Sequence, residues 1–400
     1  MSWDEIQLGE VIDFQNGYAF KSRFFTEDQN DIPLIKGENL GHGEVLWNKS
    51  KYWSRSETNG LDKFYLKPND VLLAMDRPWV GGGLKFAFIK EEDPESLLVQ
   101  RVGRLRAKPD LMTSKFLRYV VSSPANTIYL KNIMSGVAVP HISPDEIKSF
   151  KFKLPPLPTQ QKIASILSAY DDLIENNLKR IKLLEEAAQN LYREWFVEMR
   201  FPGHESAKFG EDGQPEGWEK VNLYDIAEIQ MGFPFKADDF NEAGIGSPAI
   251  RIRDIPNQWT STYTTQEAKD EYKTSKGDIV VGMDGFFYTD VWCGQDNAYL
   301  VQRVCRLRAN DPKLQGYLLE ALKGPIEFFE KTISGATVAH LGAKHLKEIF
   351  ITQPITETQK ELEVFNSLMQ LKIKLRSQIV SLKEARDILL PRLMNQTIEV

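Results

Sequence analysis

Few residues of this chain stand in arrangements that carry out covalent chemistry. Cys293 and Cys305 are the only cysteines in 400 residues. That usage fits a reducing cytoplasm and argues against a disulfide framework or a cysteine-based zinc site. There is no G-x-x-x-x-G-K-[ST] string to cradle phosphates. No H-E-x-x-H or Cys/His cluster predicts a catalytic metal. Gly81-Gly-Gly83 lacks the spacing of a dinucleotide fingerprint. Pro144-Asp-Glu-Ile-Lys148 has the acids and lysine of many nucleases, but they crowd into one short stretch, whereas a metal site draws its acids from separate elements. The Asn/Asp-Pro-Pro-aromatic signature of amino-methyltransferases is also missing. No apolar run approaches the ~18 residues of a membrane span, and the opening MSWDEIQLGE is acidic and amphipathic rather than signal-like. The expectation is a cytoplasmic protein with no membrane partner. Positive charge is not in excess either: the formal net charge is −6. If the chain binds nucleic acid, the positive field must be local or shared with a partner.

What the chain does have is an internal echo. Residues 98–107 read LVQRVGRLRA and residues 300–309 read LVQRVCRLRA. Trp3, Leu8, Gln15, Gly17, Phe20, Lys21 and Phe25 match Trp218, Leu223, Gln230, Gly232, Phe235, Lys236 and Phe240 at a spacing of 215. The spacing falls to 208 at Asp70–Asp76 against Asp278–Asp284, to 202 at Gln100 and Gln302, and to 199 at His141 and His340. The order never scrambles, so two copies of one unit differ in loop length. The implied segments are a globular domain over 1–154, a helical region over 155–200, a linker over 201–217, a second globular domain over 218–352 and a second helical region over 353–400.

After Pro158, residues Ile163, Leu167, Tyr170, Ile174, Asn177, Ile181, Leu184, Ala188, Leu191 and Trp195 recur at alternating steps of four and three, a heptad seam. Thr159 reads as its N-cap, and a helix over 159–198 would be roughly 60 Å long. The second copy predicts Phe365, Leu368, Lys372, Leu375, Ile379, Leu382, Arg386, Leu389 and Leu393, less perfect because of Lys372 and Arg386. Two such arms bury their stripes against each other. The first globular domain feeds directly into arm one, and a Gly/Pro-rich linker leads from its far end to the second domain. The arms are therefore expected to be antiparallel, with the domains at opposite ends of a rod. The fold class is α+β: two mixed α/β domains, a long antiparallel two-helix coiled coil and an internal pseudo-two-fold repeat.

Within the globular domains, β-like runs at Asp70–Met75, Lys85–Ile89 and Leu98–Ala107 alternate with helical stretches at Ser114–Val121 and Leu314–Lys323. The decapeptide carries Arg101, Arg104 and Arg106, and its twin Arg303, Arg306 and Arg308. Alternation puts Val99, Arg101, Gly103 and Leu105 on one strand face and Gln100, Val102, Arg104 and Arg106 on the other. These arginines either contact nucleic-acid phosphates or pair with acids inside each domain, the second reading being favoured for Arg101 and Arg303. In either case, a segment shared by both domains positions a nucleic acid and does not specify its sequence. Loops Ser135-Gly-Val-Ala-Val-Pro-His141 and Ser334-Gly-Ala-Thr-Val-Ala-His340 are close-approach or simple-turn candidates. Stretches that differ are the candidates for base reading: Lys36-Gly-Glu-Asn39 against Arg251-Ile-Arg253-Asp254, and Met75-Asp-Arg77-Pro-Trp79 against Met283–Tyr288. Lys21, Lys236 and Lys344 complete the DNA-contact candidates, which are Lys21, Lys36, Asn39, Arg77, Gln100, Arg104, Arg106, Ser135 and His141 in the first copy. In the second they are Lys236, Arg251, Arg253, Gln302, Arg306, Arg308, Ser334, His340 and Lys344.

The whole-chain repeat, Leu154-Pro-Pro-Leu-Pro-Thr-Gln-Gln-Lys-Ile163 and Leu184-Glu-Glu-Ala-Ala-Gln-Asn-Leu-Tyr-Arg-Glu-Trp-Phe196 together resemble the specificity subunits of type I restriction–modification systems. The corresponding second stretch, Gln353-Pro-Ile-Thr-Glu-Thr-Gln359, departs from the pattern. The resemblance implies two target-recognition domains joined by paired helical regions and a non-catalytic subunit that reads a bipartite, asymmetric site in double-stranded DNA. It implies two methyltransferase subunits docked on the arms, with a restriction–translocase subunit as a further partner. S-adenosylmethionine, ATP and Mg would then belong to the partners, and this chain would need no cofactor of its own. The alternatives are a self-sufficient methyltransferase or nuclease with unrecognised motifs, and a scaffold whose domains bind proteins.

Overall fold

Short apolar runs bounded by turn residues make the strands of the first unit. They are β1 (Asp4–Gln7), β2 (Ile12–Asn16), β3 (Ile32–Ile35), β4 (Val71–Ala74), β5 (Phe86–Phe88), β6 (Leu97–Leu98) and β7 (Val102–Ala107). Helices α1 (Ser114–Ser122) and α2 (Pro124–Ile133), strand β8 (Lys151–Leu154) and the long helix α3 (Leu157–Tyr192) follow. The second unit repeats the plan. Its strands are β9 (Trp218–Asn222), β10 (Ala227–Met231), β11 (Ser247–Ile250), β12 (Ile279–Gly282), β13 (Thr289–Val291), β14 (Ala298–Leu300) and β15 (Val304–Ala309). Then come α4 (Gln315–Thr332), β16 (Phe350–Pro354) and α5 (Glu363–Met394). This computed structural model describes residues 3–80, 83–134, 140–211, 213–333, 339–354 and 357–400. They divide into one unit of Met1–Asp172 with Lys383–Val400, and another of Leu173–Leu382. Among the described residues no helix is long and apolar enough to cross a membrane.

Each unit is built on a sheet whose two faces are both covered, antiparallel except that His42–Gly43 runs parallel to β5 at one edge of the first. In the first, β7 lies between β2 and β4: Arg104 sits opposite Gln15 on one side and Leu72 on the other. In the second, β15 lies between β10 and β12, with Arg306 opposite Gln230 and Val280. These three pairs of counterparts are spaced by 215, 202 and 208 residues, the spacings of the sequence echo, so the echo is a repeat of strand register. Because side chains alternate across a strand, Val71 and Leu73 join Leu105 and the helices in one core, while Leu72 and Ala74 join Val102, Ile35 and Leu98 in another. Ile279 and Val281 likewise face the helical core, and Val280 packs with Val304, Ile250 and Trp292.

One part of the strand reading needs correction. The run 98–107 is not one strand: β6 ends at Leu98 and β7 begins at Val102, with a turn between them. Arg101 at φ 68° and Arg303 at φ 76° take the left-handed conformation there. Alternation holds from Val102 onward, but residues 99–101 do not share its phase.

Both helical stretches enter both units, so the compact units do not follow the boundaries 155–200 and 353–400. Helix α3 starts at Leu157, two residues before the expected cap. It is fixed by Gln160, whose buried amide donates to Leu111 O and Pro155 O, both at 2.9 Å, and accepts from Thr113 N–H. That is the physical content of the Pro-Pro-Leu-Pro-Thr-Gln-Gln string. Ile163 and Leu167 pack with Leu390 and Leu393 in the first unit. Tyr170 is half-buried, as is Leu389, which gives up the deepest position to its neighbour Leu390.

In the second unit Ile174 and Ile181 meet Leu375 and Ile379, flanked by Leu184 and Leu382. Trp195 lies edge-on to Phe365 at 5.6 Å, so the start of α5 meets the segment just after α3 and the two run antiparallel there. Leu191 is partly buried on the same core, and Leu368 is half-buried beside the deeper Met369. The two charged breaks in the second seam turn out to be ion-pair sites. Lys372 is 5% exposed and contacts Glu185 at 2.7 Å and Asp290 at 2.5 Å. Arg386 reaches Asp171, which also accepts from Arg118 and the Tyr119 hydroxyl.

Candidate nucleic-acid interface

Four chain segments converge at one place in each unit. In the first, Tyr18 N–H donates to Leu98 O and its carbonyl accepts from Gln100 N–H, holding the turn after β6. A Cβ on Gly17 would lie 2.0 Å from Val99 O, so only glycine allows that approach. Met75 N–H donates to Arg101 O, Ile142 N–H donates to Met75 O, and Arg77 N–H donates to Pro140 O. The second unit repeats this with Phe233, Leu300, Gln302, Met283, Arg303 and Leu341. There Gly285 takes the place of Arg77 and donates to Ala339 O, and Gly232 is the glycine, on which a Cβ would lie 2.2 Å from Val301 O.

This backbone knot brings an arginine, an aspartate and a histidine together twice. Arg101 Nη1 lies 2.9 Å from Asp76, whose other oxygen takes the Nδ1 of His141. Arg303 Nε lies 3.2 Å from Asp284, which takes His340 Nδ1 at 2.6 Å, and Arg303 Nη1 is 3.0 Å from His340 Nε2. The two arginine side chains are 70% and 45% exposed, so they can reach a ligand in solvent. Ser135 and Ser334 lie outside the described residues, but the histidines that close their loops stand in these clusters.

The stretches that differ between the copies adjoin the shared cluster. Lys36 follows β3, which runs parallel to β6, and a Cβ on Gly37 would lie 4.0 Å from the Ala74 side chain. In the second unit a Cβ on Gly282 would meet Ile252 at 2.9 Å, so the segment of Arg251 and Arg253 abuts the Met283–Asp284 turn. Arg253 is exposed beside it. Phe287 is buried and its N–H donates to Glu330, which turns Phe286 and Tyr288 outward, where their rings stack at 5.7 Å.

Asn39, Arg104 and Arg306 are buried and are withdrawn as contacts, while Arg106, Arg308, Arg251 and Lys36 are half-buried beside partners in their own domains. Asn39 is fully buried: it accepts from Lys36 N–H and donates to Leu46 O and Ser50. Arg104 and Arg306 are 5% and 1% exposed, on the strand face that the second sheet core covers. They pair with Asp13 at 2.8 Å and Glu228 at 2.6 Å, and Arg306 also donates to Lys273 O. Burial, and then the neighbouring Arg106 or Arg308, pulls both guanidinium groups below the ordinary arginine value. Arg106 and Arg308 fork onto the buried Asp70 and Asp278, which hold them above it. Arg251 is half-buried on Thr262, and Lys36 pairs with Glu38 over the Phe25 ring. Lys21, Arg77, Gln100, Lys236, Gln302 and Lys344 are exposed. Thus the arginines set aside as structural, Arg101 and Arg303, face solvent, and those held open as contacts carry the fold. The signal for the cluster was in the sequence as the identical Met-Asp pairs at 75–76 and 283–284.

Comparison with known proteins gives a consistent result. The family profile for the type I restriction modification DNA specificity domain matches residues 1–186 and 215–380. The specificity subunit of the type I restriction enzyme MjaVIII from Methanocaldococcus jannaschii is 31% identical over 189 residues, 47% of this chain and 44% of that one. The match thus spans less than half the length of that relative. The MjaIX specificity subunit from the same organism is 24% identical over 417 residues, covering 98% of this chain and 92% of its own. The crystal structure of a type I restriction–modification S subunit from M. genitalium superposes with a TM-score of 0.57 at 18% identity, over 98% of this chain and 96% of that one. That last likeness is one of fold.

Proposed function

Because this chain belongs to the type I restriction–modification DNA specificity domain family, we propose that it reads a bipartite, asymmetric DNA target, one half-site per globular domain. It is a non-catalytic recognition subunit. The observation that carries the bipartite reading is the pairing of a common frame with divergent surroundings. Register, knot and Arg–Asp–His cluster recur in both units, while the stretches beside them differ. Shared geometry positions DNA; the divergent stretches choose bases. In the second unit the choosing groups are Arg253 and the Phe286–Tyr288 stack; in the first they are Arg77 and the segment around Lys36.

The paired helical stretches form the coiled-coil arm on which two methyltransferase subunits dock. The arm is supported by the seam, in which Ile174 and Ile181 meet Leu375 and Ile379 within the second unit. S-adenosylmethionine and, where a restriction subunit joins, ATP and Mg reside in those partners. The test is methylation by the purified modification subunit with and without this chain. Methylation of a split asymmetric sequence only when both are present is the expected result. Turnover by this chain alone would overturn the reading.

A further inference from the structure

We propose that Arg101 with Asp76 and His141, and Arg303 with Asp284 and His340, are two matched seats for DNA backbone phosphates, one in each globular domain. The inference rests on the DNA-reading function above and names the atoms that hold the duplex rather than those that choose its sequence.

Four observations converge on it. The first is availability: Arg101 and Arg303 are the most exposed of the three arginines in their decapeptides, while Arg104 and Arg306 are buried and Arg106 and Arg308 are forked onto buried aspartates. The second is backbone conformation. Both residues are non-glycine and left-handed, at φ 68° and 76°, an uncommon conformation that the two copies share. The third is preorganisation. Asp76 and Asp284 each hold one edge of a guanidinium. A guanidinium carries five N–H donors in a fixed fork, so donors remain for a phosphate, and less side-chain freedom is lost on binding. The fourth is identity between the domains. A cluster common to two domains with different half-sites suits the ligand that every DNA sequence offers, the phosphodiester oxygen.

The experiment uses the full chain assembled with its modification subunits and measures DNA affinity against salt concentration. Target and non-target duplexes are both probed, for the wild type, R101Q/R303Q and R101K/R303K. Each lost phosphate contact lowers the slope of log K against log salt by about 0.9. The double glutamine variant is expected to lower it by about 1.8, with equal weakening for target and non-target DNA and an unchanged melting temperature. The double lysine variant is expected to restore most of the slope. An unchanged slope in R101Q/R303Q overturns the phosphate seats. Loss of target discrimination with the slope intact also overturns them, making these residues base readers. Absence of salt-dependent DNA binding by the wild-type assembly refutes the DNA-reading function itself and so stays distinguishable.

Discussion

At the residue scale, five positions apart separate two kinds of arginine. Arg106 neutralises Asp70, which is 1% exposed and also accepts from the Lys67 N–H, whereas Arg101 is exposed. Removing one partner of a buried ion pair costs about 3 kcal/mol or more. R106A and R308A should therefore lower the thermal transition of their own units, while R101Q leaves it in place; melting curves followed by circular dichroism check this. The thiols offer a second check. Burial pushes both Cys293 and Cys305 up to about 12, so neither holds thiolate at neutral pH. Ellman's reagent at pH 8 should find no reactive thiol in the folded chain and two after denaturation. None of this distinction was legible in the decapeptide. Arg104 finds Asp13 and Arg106 finds Asp70 through strand pairing over long sequence separations, and a left-handed arginine leaves no mark in a β-like string.

At the element scale, the sequence periodicities were informative and the polar exceptions misled. Strands at 71–74, 86–88 and 102–107 and the helix at 114–122 lie within the expected runs, while the helix at 315–332 continues nine residues past the expected Lys323. The seam of α3 is buried at Ile163, Leu167, Ile174 and Ile181. Lys372 reads as a flaw in the second seam only because its acids, Glu185 and Asp290, are remote in sequence. Burial opposes its charge, but the two carboxylates outweigh burial and hold the ammonium above the usual 10.5. K372A leaves two acids facing an apolar gap and should destabilise the second unit by about 3 kcal/mol. A folded-state value above the unfolded one gives stability that is full below pH 10.5 and is lost as pH rises through the folded value. The difference between wild type and K372A in thermal melts should therefore shrink in strong alkali. On the acid side, Glu146 completes a capping box with Ser143. The Ser143 backbone N–H, then its hydroxyl, hold the carboxyl below 4.5. Its contribution is present above pH 4.5 and fades as pH falls through the folded value, and S143A should cost about 1 kcal/mol in the same melts.

At the scale of the whole molecule, the account turns on modularity. The repeat was visible in the sequence because its frame is made of strings common to both copies; the proposed reading surfaces were visible only as the places where the copies disagree. The structure adds that those places lie beside a common Arg–Asp–His cluster in each unit, which fits two readers built on one chassis. The most direct test replaces residues 218–352 with the matching domain of another family member. The hybrid is expressed with the modification subunit, and methylated sites are mapped across the genome. The account predicts that one half of the bipartite target changes while the other half stays as in the wild type. A change in both halves, or in neither, would contradict it.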